Sequence, residues 1–214
     1  SRQVMSIAQS LYQSGYITYM RTDSINLSNE AINAAKNVIL KKYGKDYLPD
    51  KPRIYKSKSK NTQEAHEAIR PAGSTFTDPE TLKPSLSDAE YKVYNMIWKR
   101  TVASQMKSAK TEQTKLEISD NDYIFNAHGK TIIFPGFLRA YVEGADNPDT
   151  QLDDMEKTLP KVSKGDVVEW DEILPKQHFT KPMSRFTEAS LVKELETLGI
   201  GRPSTYATIM QNIQ

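Results

Sequence analysis

The sequence predicts an α+β chain with helices in its first half, an antiparallel β module in the middle and helices again at its end. Three observations predict it. Apolar residues recur at helical spacing as far as about residue 110. From about Thr111 the period shortens to two, with turn residues between short runs. From Thr187 the helical spacing returns. The chain accordingly divides into 1–110, 111–180 and 181–214.

Val4, Ile7, Ala8, Leu11 and Tyr12 form the first helical stripe, and Gly15 supplies a left-handed stop. The stretch "GYITYMRTDS" then alternates, with Ile17, Tyr19, Arg21 and Asp23 on one side and Tyr16, Thr18, Met20 and Thr22 on the other, which predicts a short extended segment. Ser28 caps a second helix carrying Ile32, Ala35, Val38 and Ile39, with Lys41, Lys42 and Gly44 at its end. In "NTQEAHEAIRP", Thr62 starts a short helix that Pro71 must end, and that helix would set His66 and Arg70 on one face.

A stronger helix opens at "LSDAEY". Ser87 and Glu90 have capping-box spacing, Leu86 and Tyr91 form a hydrophobic staple, and Tyr91, Tyr94, Trp98, Val102 and Met106 make one stripe. These aromatics read as core, not as a base-stacking platform. In the β module, turns at "SDND", "AHGK" and "FPG" separate "TKLEI", "YIFNA", "TIIF" and "FLRAYV", and "DVVEWDEIL" is a later strand. Thr187 then caps a helix through Leu191, Val192, Leu195 and Leu198. "GIGRP" turns, and Ser204 opens a last helix with Tyr206, Ile209 and Ile213. Both ends falling near periodic segments predict a piece of something longer.

Composition narrows the function classes. Hydrophobic residues are 37% of the chain and charged residues 26%, and no apolar run approaches the ~18 residues that a membrane span needs. The absence of cysteine excludes a disulfide framework and a thiolate zinc site, and fits a cytoplasmic protein. The net charge is only +2, but it is unevenly spread. Lys51, Arg53, Lys56, Lys58 and Lys60 form a basic run that reads as a solvated loop or a phosphate-facing patch, and six acids crowd Glu143–Glu156.

The chemistry concentrates at Tyr19. A phenol with an ordinary pKa of ~10 needs a nearby cation to act as a nucleophile on an anionic electrophile at neutral pH. Arg21, two residues on, could clamp phosphate oxygens beside it, with Asp23 orienting the guanidinium. Taken alone, Tyr-x-Arg-x-Asp reads first as a cross-strand salt bridge beside a packed tyrosine.

Three segments in this order change that reading: "GYITYMRTDS", "QEAHEAIRP" and "RFTEASLVKELETLGIGRPSTYA". Together they resemble the type IA DNA topoisomerases through nearly the whole chain. Met20 after the tyrosine favours the topoisomerase I branch over topoisomerase III, whose members typically have proline there.

The resemblance implies a helical, winged-helix (CAP-like) tyrosine domain over 1–110, part of a β arch over 111–180 and the start of a DNA-binding base domain over 181–214. It implies that Tyr19 attacks single-stranded DNA to leave a 5′-phosphotyrosine and a free 3′-hydroxyl, with Arg21 holding the scissile phosphate and His66 near the phosphates. Arg70 is a phosphate contact or a partner for an acidic residue. Arg202, Ser204 and Thr205, at a helix start with free N–H groups, would bind a backbone phosphate. His128 and His178 are read as structural.

One departure is large. The family's Toprim domain, with its acidic magnesium site, has no match here, and Asp120 and Asp122 read as hairpin-turn residues, so no metal ligand is assigned. The expectation is therefore a central piece of a monomeric cytoplasmic enzyme that relaxes negatively supercoiled DNA, with little or no activity alone. Magnesium would come through the missing domain. Other readings are a non-catalytic DNA-binding module built on a helix-turn-helix at 187–214, or a relative of topoisomerase III or reverse gyrase.

Overall fold

The computed structural model describes residues 2–55, 66–142, 152 and 155–213. Among them are six α-helices, α1 (Arg2–Gln13), α2 (Asn29–Lys42), α3 (Pro79–Leu82), α4 (Asp88–Ser104), α5 (Glu188–Thr197) and α6 (Tyr206–Ile213). Between α4 and α5 lies one antiparallel pair, β1 (Lys110–Asp120) and β2 (Tyr123–Phe134). The architecture is mixed, with helices before and after a β hairpin.

Local chemistry sets the helix ends. At the close of α1 the Tyr16 and Gly15 N–H groups donate to the carbonyls of Leu11 and Tyr12, both at 2.9 Å, and Gly15 takes φ 76°. This double bond needs a left-handed residue, which glycine adopts without a Cβ clash. Ser28 caps α2 by accepting from the Ala31 N–H. Ser87 and Glu90 complete the capping box of α4, and the second carboxylate oxygen of Glu90 accepts from Ser10 Oγ at 2.7 Å, tying α4 to α1.

The core lies where α1, α2 and α4 meet. Leu11, Ile39, Val102, Tyr94 and Met106 are almost fully enclosed, with Ala31, Ala34, Ala35 and Trp98 around them. Each such large apolar side chain contributes about 1.5–3 kcal/mol on burial. The α4 stripe is core, as its spacing predicts. On α1, however, Val4 and Tyr12 are exposed, while Ala8 and Leu11 are buried and Met5 and Ile7 pack against the core at its margin.

Three expected elements are not found among the described residues. Residues 16–24 form no strand: one bridge, Ile17 to Pro71, is their only strand-type pairing among the described residues. The described part of the expected 62–70 helix, from His66 on, is not helical, while its start lies outside the described residues. "DVVEWDEIL" finds no partner strand among the described residues. A strand needs hydrogen-bonding partners along its length, and alternation in the sequence does not supply them.

The β module reduces to the hairpin. Its two-residue turn is Asn121–Asp122, with Asn121 at φ 49°. "AHGK" is not a turn, because β2 runs on through His128, Gly129 and Lys130, in register with Lys115, Thr114 and Gln113. "FLRAYV" opens as a short 3-10 turn, Gly136–Arg139. Gly136 sits at φ 53°, where a Cβ would come within 2.5 Å of the Ala109 nitrogen, so no other residue fits that corner without backbone movement.

Of the basic run, Lys56, Lys58 and Lys60 lie outside the described residues, as does most of the acidic run. Arg53 is not free for phosphate: its guanidinium donates to the Met106 carbonyl and to Ser108 Oγ, both at 2.7 Å.

Candidate active site

The bridge at Ile17 assembles the site. Segment 16–18 pairs with 68–72: the Thr18 N–H donates to the Arg70 carbonyl, and the Ala72 N–H to the Tyr16 carbonyl, both at 2.9 Å. Thr18 Oγ1 adds two more ties, donating to the Ala68 carbonyl and accepting from the Arg70 N–H, each at 2.9 Å. The two short motifs, 48 residues apart in sequence from Thr18 to His66, are thereby held side by side.

Within this frame Ile17 and Met20 turn into the core, while Tyr19 and Arg21 turn out. The predicted alternation therefore fails for Ile17 and holds for Tyr19 with Arg21. Those two side chains line one open recess with Gln9, Tyr12 and Gln13. Tyr19 is 36% exposed, so its phenol is not sealed in the interior.

Two aromatic rings flank the Tyr19 ring. Tyr12, on the last turn of α1, meets it edge-on with centroids 5.3 Å apart, and His66 lies tilted at 31° with centroids 5.7 Å apart. Such contacts contribute about 0.5–1.5 kcal/mol beyond area burial and restrict ring orientation. His66 Nδ1 is buried and has no hydrogen-bond partner among the described residues. Tyr12 is missed by sequence reasoning, which assigns it to the core stripe. Its place at the end of the helix, seven residues before Tyr19, was the available signal.

Arg70 was expected to touch phosphate or to pair with an acid, and the second role is the one the geometry fills. Its guanidinium donates twice to Glu67 Oε2, at 2.7 and 3.2 Å, and to the carbonyls of Pro71 and Gly73. Glu67, the other residue missed, also accepts from the Ser28 N–H at 2.6 Å. Burial pushes its carboxyl up, but the bonds from Arg70 and Ser28 outweigh that and hold it below its ordinary value. An acid three residues before an arginine was the clue in the sequence.

The third motif lies close by. α6 packs against α1, with Arg2 donating to Gln211 at 3.3 Å. Burial, then Glu196, raise the Tyr206 phenol, and Asp23 from the tyrosine segment adds to the shift. α6 begins at Tyr206, two residues later than predicted, because Thr205 Oγ1 is engaged with the backbone of Arg202 in a tight turn. Arg202 and Ser204 are exposed at that turn.

Among the described residues no three His, Cys, Asp or Glu side chains converge as metal ligands. Glu67 is committed to Arg70 and Ser28 and is not available as a metal ligand.

The sequence profile of the DNA topoisomerase family matches residues 1–214. The chain belongs to the bacterial DNA topoisomerase I family. It is 54% identical to DNA topoisomerase 1 of Streptomyces coelicolor and 53% identical to that of Synechococcus elongatus, in each case over the whole of this chain. It spans 23% and 24% of the length of these relatives. Among solved structures it is similar to full-length topoisomerase I from Thermotoga maritima, with 35% identity and a TM-score of 0.69, covering 98% of this chain and 33% of that one. In this topoisomerase I chain, then, the tyrosine recess is lined by α1 and the 19–21 stretch, and the 66–72 segment braces that stretch through its backbone bonds and the His66 ring.

Proposed function

We propose that this chain is the nucleophile-bearing part of a type IA DNA topoisomerase, which relaxes negatively supercoiled DNA by cutting one strand, passing another through and resealing the cut. The observation that carries the reading is the shared recess of Tyr19 and Arg21. Tyr19 Oη attacks a phosphodiester of single-stranded DNA. The phosphorus–O3′ bond breaks as the phosphorus–Oη bond forms, the phenol proton leaves, and the departing O3′ takes up a proton to become a hydroxyl. Religation reverses each transfer.

Arg21 neutralises the charge that develops on the phosphate oxygens in the transition state. His66, its ring against Tyr19, meets the neighbouring phosphate. Arg202, Ser204 and Thr205 hold the DNA backbone at the start of α6. Magnesium belongs to a Toprim domain outside these residues. On this reading 1–110 is a winged-helix, CAP-like tyrosine domain, 111–180 part of a β arch, and 181–214 the start of the base domain, in a monomeric cytoplasmic enzyme at the nucleoid.

The test combines this chain with the Toprim-containing remainder of a close relative, magnesium and end-labelled single-stranded DNA. A covalent adduct is expected, and it should vanish in Tyr19→Phe. An adduct that survives that substitution removes Tyr19 from its role, and tight DNA binding with no adduct in any combination makes the chain a binding module instead.

A further inference from the structure

Tyr19 and Arg21 lie on a loop, residues 18–28, whose two ends are fastened to the same short segment. At the first end the Thr18 N–H donates to the Arg70 carbonyl, and Thr18 Oγ1 accepts from the Arg70 N–H, both at 2.9 Å. At the second end the Ala68 N–H donates to the Asn26 carbonyl at 2.8 Å, and the Ser28 N–H donates to Glu67 Oε1 at 2.6 Å. Residues 67–70 therefore span the gap that the loop has to close.

The Glu67 side chain joins the two ends directly. While Oε1 holds Ser28, Oε2 takes two bonds from the Arg70 guanidinium, at 2.7 and 3.2 Å. That guanidinium is fixed in turn by the carbonyls of Pro71 and Gly73, and Arg70 is buried. Charge-assisted bonds of this kind are short and directional, so each carboxylate oxygen has one defined partner. The Ser28 end is also anchored on a helix, since Ser28 Oγ caps α2, whose Ala31, Ala34, Ala35 and Ile39 lie in the core.

We propose that Glu67 is a positioning residue for strand cleavage: by tying Ser28 to Arg70 it closes the 18–28 loop and fixes Tyr19 and Arg21 in their shared recess. The inference rests on the proposed role of Tyr19 as the nucleophile. Glu67 does not itself line that recess, and it follows His66, whose ring lies against Tyr19. In-line attack needs the phenol oxygen about 3–3.5 Å from the phosphorus and aligned with the breaking bond. A loop tethered at one end spreads its phenol over many positions. One closed at both ends has given up that freedom on folding, before DNA arrives.

The experiment combines the chain with the Toprim-containing remainder of a close relative, magnesium and end-labelled single-stranded DNA, and follows adduct formation in a single turnover. Glu67→Gln keeps the shape of the side chain but presents an amide to Arg70. It is expected to lower the rate constant about 10–100-fold, with the fraction of protein that reacts and the affinity for DNA nearly unchanged. Arg70→Lys, which keeps the charge but not the paired donors, should act the same way. The double variant should be no slower than the slower single one, as one shared interaction requires. Asp78→Asn, which removes a carboxylate bonded to Lys42 and to the Glu80 N–H at the start of α3, serves as the control and should lower stability without changing the rate constant. A merely structural role for Glu67 gives the opposite split, a smaller reacting fraction at the normal rate constant, and that result overturns the proposal, as do additive losses in the double variant. A wild-type adduct that is absent, or that survives Tyr19→Phe, defeats the functional reading and this role with it. A Tyr19-dependent adduct formed at full rate by Glu67→Gln defeats this role alone.

Discussion

Arg70 and Glu67 hold each other by two hydrogen bonds to a single carboxylate oxygen, at 2.7 and 3.2 Å, with the guanidinium almost wholly enclosed. The pair sits one strand away from the tyrosine segment, because the backbone of Arg70 pairs with Thr18. Removing the guanidinium would leave Glu67 and the carbonyls of Pro71 and Gly73 short of donors. Arg70→Ala is therefore expected to cost about 2–3 kcal/mol of stability, read by urea denaturation of the chain. A loss under about 0.5 kcal/mol would show the pair to be ornamental to the fold.

The same pair predicts a pH dependence. The folded chain holds the Glu67 carboxyl below its ordinary value of 4.5. A depressed acid contributes stability that is complete above the unfolded pKa and disappears as pH falls through the folded one. The chain should thus lose stability below about pH 4.5, and Glu67→Gln should flatten that part of the curve. Identical slopes for the two proteins in thermal melts at acid pH would assign the acid sensitivity to other carboxylates.

How much of this was legible follows from which forces are local. Gly15, Ser28 and the Ser87–Glu90 box act within a few residues, and each helix end appears where the sequence puts it. The α4 stripe was legible for the same reason, since 3.6-residue spacing states which face is buried. Segment 16–24 was not, because its conformation depends on Arg70 and Ala72, some fifty residues away, and on Met20 being pulled into the core. "DVVEWDEIL" has strand character, but pairing is a property of two segments and cannot be read from one. That Tyr19 and Arg21 turn the same way was legible from their two-residue spacing, while the ring contact of Tyr12 joins two segments across the turn at Gly15.

On the proposed chemistry, Arg21 and Tyr19 share a recess but have different duties. The Arg21 charge matters most when the phosphate becomes pentavalent, so Arg21→Ala should lower single-turnover cleavage by about 10²–10³ and weaken binding of single-stranded DNA far less. Cleavage is followed by gel in the reconstituted assay and affinity by anisotropy. Equal losses in the two would make Arg21 a simple DNA-binding residue.

Gly129 lies within β2 beneath the segment that supplies Lys157. A Cβ there would stand 2.8 Å from Leu159 Cγ and 2.9 Å from the Lys157 carbonyl oxygen. The leucine can turn away, but the carbonyl is held by its 2.9 Å bond from the Lys130 N–H, so the added methyl must push the 157–159 segment away from β2. Gly129→Ala is expected to cost about 1–3 kcal/mol locally and to speed hydrogen exchange at the amides of Lys130 and Lys157, with little change at the Tyr19 segment. Retained protection at both amides would mean that the 157–159 segment accommodates the methyl group, and that the close approach at Gly129 does not hold Lys157 in place.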